Sequence, residues 1–175
     1  MVAPANADIY MYVDKDGVMH FTNTPTSSRY EIYVKGRRSR PRHYSTTKYD
    51  DLITEASEKY GVPFSLVKAI IKVESNFNHR AVSKAGAMGL MQIMPFNLEL
   101  LDIADPFDPW ENIMGGTRFF KKLLKRFDGN LAFALAGYNA GPKRVDKYNG
   151  IPPIRETQNY VKLVKKYYRI YNSKS

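Results

Sequence analysis

Glu74 closes the run Pro63-Phe64-Ser65-Leu66-Val67-Lys68-Ala69-Ile70-Ile71-Lys72-Val73-Glu74-Ser75, in which apolar residues recur three and four positions apart. Seven positions separate Val67 from Glu74, a return to within about 20° on a helix of about 3.6 residues per turn. The carboxyl therefore shares the core face, while Lys68 and Lys72 share the opposite one. A carboxylate so placed either pairs with a cation or sits in a partly desolvated pocket that raises its pKa, as a general acid working near neutrality requires. The run alone leaves both open.

Three other segments bear on that choice. Gly86-Ala87-Met88-Gly89-Leu90-Met91-Gln92-Ile93-Met94-Pro95 puts glycines, methionines and one glutamine together. Small residues permit close approach, and Gln92 offers donors and an acceptor suited to a sugar hydroxyl or acetamido group; a tight helix crossing explains the composition equally well. Leu131 to Ala140 is rich in small residues and ends Tyr138-Asn139-Ala140-Gly141-Pro142, with Gly141 a natural helix stop and Pro142 a restart. Tyr138 and Asn139 at that helix end are placed to orient a carboxylate or a sugar. Thr157-Gln158-Asn159-Tyr160-Val161 opens a final amphipathic run in which Val161, Val164 and Tyr168 read as core, and Tyr160 by itself reads as a packing residue.

The elements that must position these residues are helical. After Tyr49, helical spacing predicts six segments, near 49–60, 63–75, 84–94, 112–127, 130–139 and 155–171, punctuated by Gly61, Pro63, Pro95, Gly129 and Pro152-Pro153. No strand signal is found there. Ahead of them, residues 9–22 place β-branched and aromatic runs around Asp16-Gly17, a hairpin signal, and Glu31-Ile32-Tyr33-Val34 could add a strand. Residues 35–48 carry no acid and no aliphatic side chain and read as a basic linker. The expected organisation is a small β-hairpin module at 8–34, that linker, and an all-α domain at 49–175.

Composition narrows the classes. A chain of 175 residues, 43% hydrophobic, suffices for one domain with a small appendage. Its apolar runs fall short of the ~20 residues a membrane span needs. With no cysteine, disulfides and thiolate chemistry are excluded. His20, His43 and His79 show no metal-ligand spacing, so neither metal nor cofactor is expected. The net charge of +10 arises from eight basic against four acidic residues up to Lys48 and nineteen against thirteen beyond it. Such a surface attracts any polyanion. Nucleic acid is the weaker reading, because most of the 13 tyrosines fall at helical spacing or in the hairpin, not on the stacking platforms single-strand binders use. Ala5-x-Ala7 resembles the end of a secretory leader whose basic and apolar parts are absent.

In series, Glu74-Ser75-Asn76-Phe77, Gly89-Leu90-Met91-Gln92, Ala136-Gly137-Tyr138-Asn139-Ala140-Gly141 and Asn159-Tyr160-Val161 resemble the catalytic domain of the soluble lytic transglycosylases, related to goose-type lysozyme. Asp108-Pro109-Trp110-Glu111-Asn112-Ile113 and Gly115-Gly116 fit as well, and the likeness spans about 50–171. It implies a lysozyme-like fold and a periplasmic or secreted, cell-envelope enzyme, expected as a monomer, that acts on peptidoglycan glycan strands; an envelope protein is the expected partner of the N-terminal module. It implies Glu74 as catalytic acid and base, Ser75 as a hydroxyl holding substrate or acid, Met91 and Gln92 as a groove-lining pair, Tyr138 and Asn139 as positioners of the glutamate, and Tyr160 close to the reaction centre. Gly137 departs from the family's usual residue.

One carboxylate is fewer than the two a glycosidase ordinarily uses. Asp102, Asp105, Asp108 and Glu111 lie on a proline-rich connection and read as turn residues and caps. A lone acid suffices when the sugar's own C6 hydroxyl is the nucleophile, which is the chemistry the resemblance implies. The alternatives are a hydrolytic muramidase that uses one of those aspartates, and a wall-binding protein that has lost its chemistry.

Overall fold

The computed structural model describes residues 9–14, 19–22, 24–34 and 49–173. The candidate leader residues, the Asp16-Gly17 turn and the 35–48 linker lie outside these.

The N-terminal runs form strands β1 (Ile9–Val13), β2 (Met19–Thr22) and β3 (Glu31–Val34) in one antiparallel sheet of order β2-β1-β3. The third run does add a strand. Alternation along β1 and β2 divides the sheet's aromatics between its faces. Tyr12 stacks on His20 across the β1–β2 pair at 4.6 Å between ring centres and meets Tyr30 edge-on at 4.7 Å. On the other face Phe21 meets Tyr33 at 5.7 Å and lies directly against Gly86 of the helical part, 2.6 Å from where a Cβ there would stand. Ile9 is buried and joins the main core. The sheet thus closes one of its faces on the helical part.

That part contains α1 (Asp50–Tyr60), α2 (Phe64–Ser75), α3 (Pro109–Arg126), α4 (Leu131–Ala140), α5 (Pro142–Tyr148) and α6 (Arg155–Asn172). The punctuation works as expected at most ends. Gly61 caps α1 in the left-handed conformation, its N–H donating to the Ser57 carbonyl. The Asn130 side chain accepts from the Ala132 and Phe133 amides to start α4. Helix α4 is apolar on all sides, and it lies among α3, α5 and α6, which explains its small residues. Helix α2 packs most extensively on α6, burying Leu66, Val67, Ile70 and Ile71 against Val161 and Val164. Burial of each such side chain is worth about 1.5–3 kcal/mol.

Three expectations need correction. Residues 84–94 are not a helix. They form turns held by single bridges, Val82 to Met88 and Met88 to Ile93, and the backbone takes positive φ at Gly86, Gly89 and Gln92, which no α-helix tolerates. Pro95 accordingly opens a short 3-10 turn, Pro95–Asn97, and does not end a helix. Helix α3 begins at Pro109, earlier than expected, whereas Pro142 restarts the chain as expected and opens α5. Among the described residues no helix is long and apolar enough to cross a membrane.

Candidate active site

Glu74 lies in the last turn of α2, which Asn76 ends in a left-handed conformation by donating its amide to the Lys72 carbonyl. Phe77 is also left-handed, at φ 64°, a strained choice for a bulky residue. It is held because its ring is buried and stacks on that of Tyr49 at 6.5 Å. Backbone strain at functional sites is common where the surroundings impose it, and here it fixes the direction in which the chain leaves the glutamate.

No cation pairs with Glu74: none of the ion pairs among the described residues includes it. Of the two environments compatible with its position in the sequence, the desolvated pocket is the one found. Burial pushes its pKa up to about 8, the charge of Glu156 adds to the rise, and the Tyr160 hydroxyl opposes it. The side chain keeps some solvent-accessible surface. At neutral pH the carboxyl is therefore mostly protonated and reachable, the state a proton donor needs.

Tyr160 comes from α6 and is buried. Its hydroxyl meets no acceptor at ideal geometry; at a looser approach it acts on the Glu74 carboxyl and favours the charged form. Such contacts are often long in unliganded sites and tighten with substrate. Tyr138 comes from α4, and its hydroxyl donates to the Met91 carbonyl at 2.8 Å, its ring packed against Phe119 and Phe120. Burial and the proximity of Glu74 both raise its pKa, so it remains a neutral donor. Asn139 accepts the Thr157 hydroxyl at 2.8 Å through its Oδ1. That bond ties the end of α4 to the first turn of α6, three residues ahead of Tyr160.

Met91 and Ser75 both make contacts within the protein. The Met91 side chain is fully buried with the Thr117 hydroxyl 3.8 Å from its sulfur, and its backbone N–H and C=O are bonded by Asn112 and Tyr138. The Ser75 hydroxyl donates to the Ile71 carbonyl at 3.2 Å and keeps its oxygen as an acceptor. Gln92 is partly exposed. Its amide nitrogen donates to the carbonyls of Ala81 and Gly89 at 3.1 and 2.9 Å, which fixes its orientation and leaves the side-chain oxygen as the acceptor it presents. The Gly137 departure has a local cause: a Cβ there would stand 2.9 Å from the Phe127 ring.

Asn112 was missed as a positioning residue. Buried on α3, it accepts the Met91 amide at 2.8 Å and donates to the carbonyls of Met88 and Pro106 at 3.1 and 2.8 Å. Gly89 makes this possible, since a Cβ there would lie 2.2 Å from both the Asn112 amide nitrogen and the Pro106 carbonyl. An asparagine among Ile113, Met114 and two glycines on a helix's buried face was the available signal, because buried amides require partners.

The four acids of the 102–111 connection have other work. Asp108 caps α3 by accepting the Glu111 amide, Asp105 accepts the Phe107 amide, Glu111 accepts the amides of Ala104 and Asp105, and Asp102 pairs with Arg118 at 2.9 Å. Among the described residues no group of His, Asp and Glu side chains could hold a metal.

Residues 51–161 match the model of the transglycosylase SLT domain, and residues 1–48 match that of a domain of unknown function, DUF4124. The chain is 32% identical over 136 residues to the membrane-bound lytic murein transglycosylase F of Desulfosudis oleivorans, covering 70% of this chain and 30% of that one. The crystal structure of the 70-kDa soluble lytic transglycosylase SLT70 from Escherichia coli superimposes with a TM-score of 0.65 at 32% identity, covering 71% of this chain and 24% of that one. The structure of an inactive glutamate-to-glutamine mutant of lytic transglycosylase Slt from Pseudomonas aeruginosa superimposes at 0.63 and 30% identity, with the same coverage of both chains. The chain thus spans about a third or less of the length of these relatives. With a matching model over most of its length and a fold shared at this level of identity, the chain belongs to the transglycosylase SLT domain family.

Proposed function

We propose that this protein is a peptidoglycan lytic transglycosylase of the cell envelope, periplasmic or secreted, that cleaves the β-1,4 bond between N-acetylmuramic acid and N-acetylglucosamine without water and leaves 1,6-anhydro-muramyl ends. The observation that carries this reading is the desolvated Glu74, unpaired with any cation and protonated at neutral pH. Glu74 gives its proton to the glycosidic oxygen while the muramyl acetamido group stabilises the oxocarbenium-like centre. As a carboxylate it then takes the proton of the C6 hydroxyl, whose oxygen closes the anhydro ring. A residue that is first acid and then base works best with a pKa near the ambient pH. Burial supplies the rise, and the Tyr160 hydroxyl tempers it by favouring the charged form.

The other residues take supporting roles. Gln92 offers its side-chain oxygen to a sugar donor. Tyr138, through the Met91 peptide, and Asn139, through Thr157, fix the walls on either side of Glu74. The acids at 102–111 are all engaged by backbone amides or in an ion pair, so none of these four is poised to activate water, which supports the non-hydrolytic course. Glu74→Gln tests the assignment: the variant is expected to fold, to bind purified sacculi, and to release anhydromuropeptides at least about 10³-fold more slowly. Release at near wild-type rate, or wild-type products heavier by one water in mass spectrometry, rejects it.

A further inference from the structure

Helix α6 turns Val161, Val164 and Tyr160 to the core and leaves its other side in solvent. At 100° per residue, Arg155, Lys162, Lys165, Lys166 and Arg169 fall within an arc of about 100° on that outer side and extend along about 21 Å of axis. All but Lys165 are exposed, and Lys165 is half-buried. None of the ion pairs among the described residues reaches them, and the one acid of the helix, Glu156, projects beyond the edge of the arc. Lys162, Lys165, Lys166, Arg169 and Ile170 line a shallow trough there. Immediately beside the cations lie Leu163 and Ile170, 44% and 37% exposed, on one flank of the stripe.

We propose that this face of α6 docks on an anionic phospholipid bilayer, with the five cations over the headgroups and Leu163 and Ile170 entering the interface. A row of unpaired cations is complementary to any polyanion. The adjoining exposed aliphatic pair is what selects a lipid surface, because interfacial helices combine a basic polar face with apolar residues that reach the acyl boundary. A soluble acidic polymer gains nothing from Leu163 and Ile170. The stripe lies on the side of α6 opposite Val164, which is buried in the core. The inference stands independently of the catalytic assignment.

Because the chain has no cysteine, an Ile170→Cys variant carries one environment-sensitive fluorophore. Its emission is expected to shift to the blue on vesicles of mixed phosphatidylglycerol and phosphatidylcholine and to stay unchanged on phosphatidylcholine alone; the same label at Lys147→Cys, on α5, stays unchanged on both. In co-sedimentation of the full chain, the combined Lys162→Gln, Lys165→Gln, Lys166→Gln and Arg169→Gln variant loses at least about tenfold in affinity for the anionic vesicles. A control that removes the same charge elsewhere, Lys122→Gln, Lys125→Gln, Lys143→Gln and Lys147→Gln, loses about twofold or less; circular dichroism checks that both are folded. An unshifted label on bound protein, or equal losses in the two variants, overturns the proposal. So does a stripe variant that keeps vesicle binding and instead loses retention on purified sacculi, which would assign the face to wall polymer.

Discussion

Carboxyl groups occupy two contrasting regions of this molecule. At the end of α2, Glu74 is desolvated, has no cation beside it and holds its proton to about pH 8. On the connection leading into α3, Asp105, Asp108 and Glu111 each accept backbone amides, and Asp102 pairs with Arg118. Both regions are rich in turns and close to the same core, so proximity to the core does not decide reactivity. Compensation does: an acid given amide donors or a guanidinium is a structural anion, and one given only burial and a single tyrosine hydroxyl becomes a proton store.

The sharpest way to break this contrast is Glu74→Gln, with its expected loss of at least about 10³-fold in turnover. The same variant has a second signature. Because the folded pKa of Glu74 lies above that of an unfolded glutamate, about 4.3, the folded chain binds the proton more tightly and wild-type stability falls as pH rises from there to about 8. Glu74→Gln is free of that penalty, so its melting temperature relative to wild type should climb across this window and level off above it. The gain is a few kcal/mol at most, since a tenfold change in proton affinity is worth about 1.4 kcal/mol and the carboxyl's remaining solvent contact reduces it.

Next in size is Tyr160→Phe. Loss of a hydrogen bond to a charged group costs roughly 1.5–3 kcal/mol, so turnover should fall at least about tenfold. The alkaline limb of the pH–rate profile should move to higher pH, because the hydroxyl had been lowering the glutamate's pKa. Asp108→Ala addresses the other region: it removes the cap of α3 and should cost about 1 kcal/mol of stability, seen as a lower melting temperature, with turnover within about twofold of wild type. A collapse of turnover in a folded Asp108→Ala variant would mean that the two regions share the chemistry after all. The smallest effect belongs to Glu156→Gln, which removes a charge that raises the Glu74 pKa and should move the alkaline limb down by a few tenths of a pH unit.

The helical framework was legible because its signals are local. Gly61, Gly129 and Pro152-Pro153 mark helix boundaries through their own backbone chemistry, and the i, i+3, i+4 spacing of α2 reports its buried face directly. The segment 84–94 misled because its apolar residues are buried as a helix's would be. Its backbone is satisfied instead by two isolated bridges within 82–93 and by Asn112 and Tyr138, which are distant in sequence. The glycines that weaken its helix propensity were the contrary signal. Pro142 marked where α5 starts, but not its extent, because in seven residues only Val145 is buried, too little to set a period. For Glu74 the helical spacing decides neither outcome, since the presence or absence of a cation depends on chain segments far away; only the family motifs favour an acid.

The Met91 peptide is gripped at both ends, its N–H by Asn112 of α3 and its C=O by Tyr138 of α4. A turn without regular secondary structure therefore opens only when two core helices separate, so it inherits their resistance to local unfolding. On the proposed function, a glycan passing Gln92 would meet a rigid template in place of a closing flap, and discrimination among strands would rest on what fits that fixed contour.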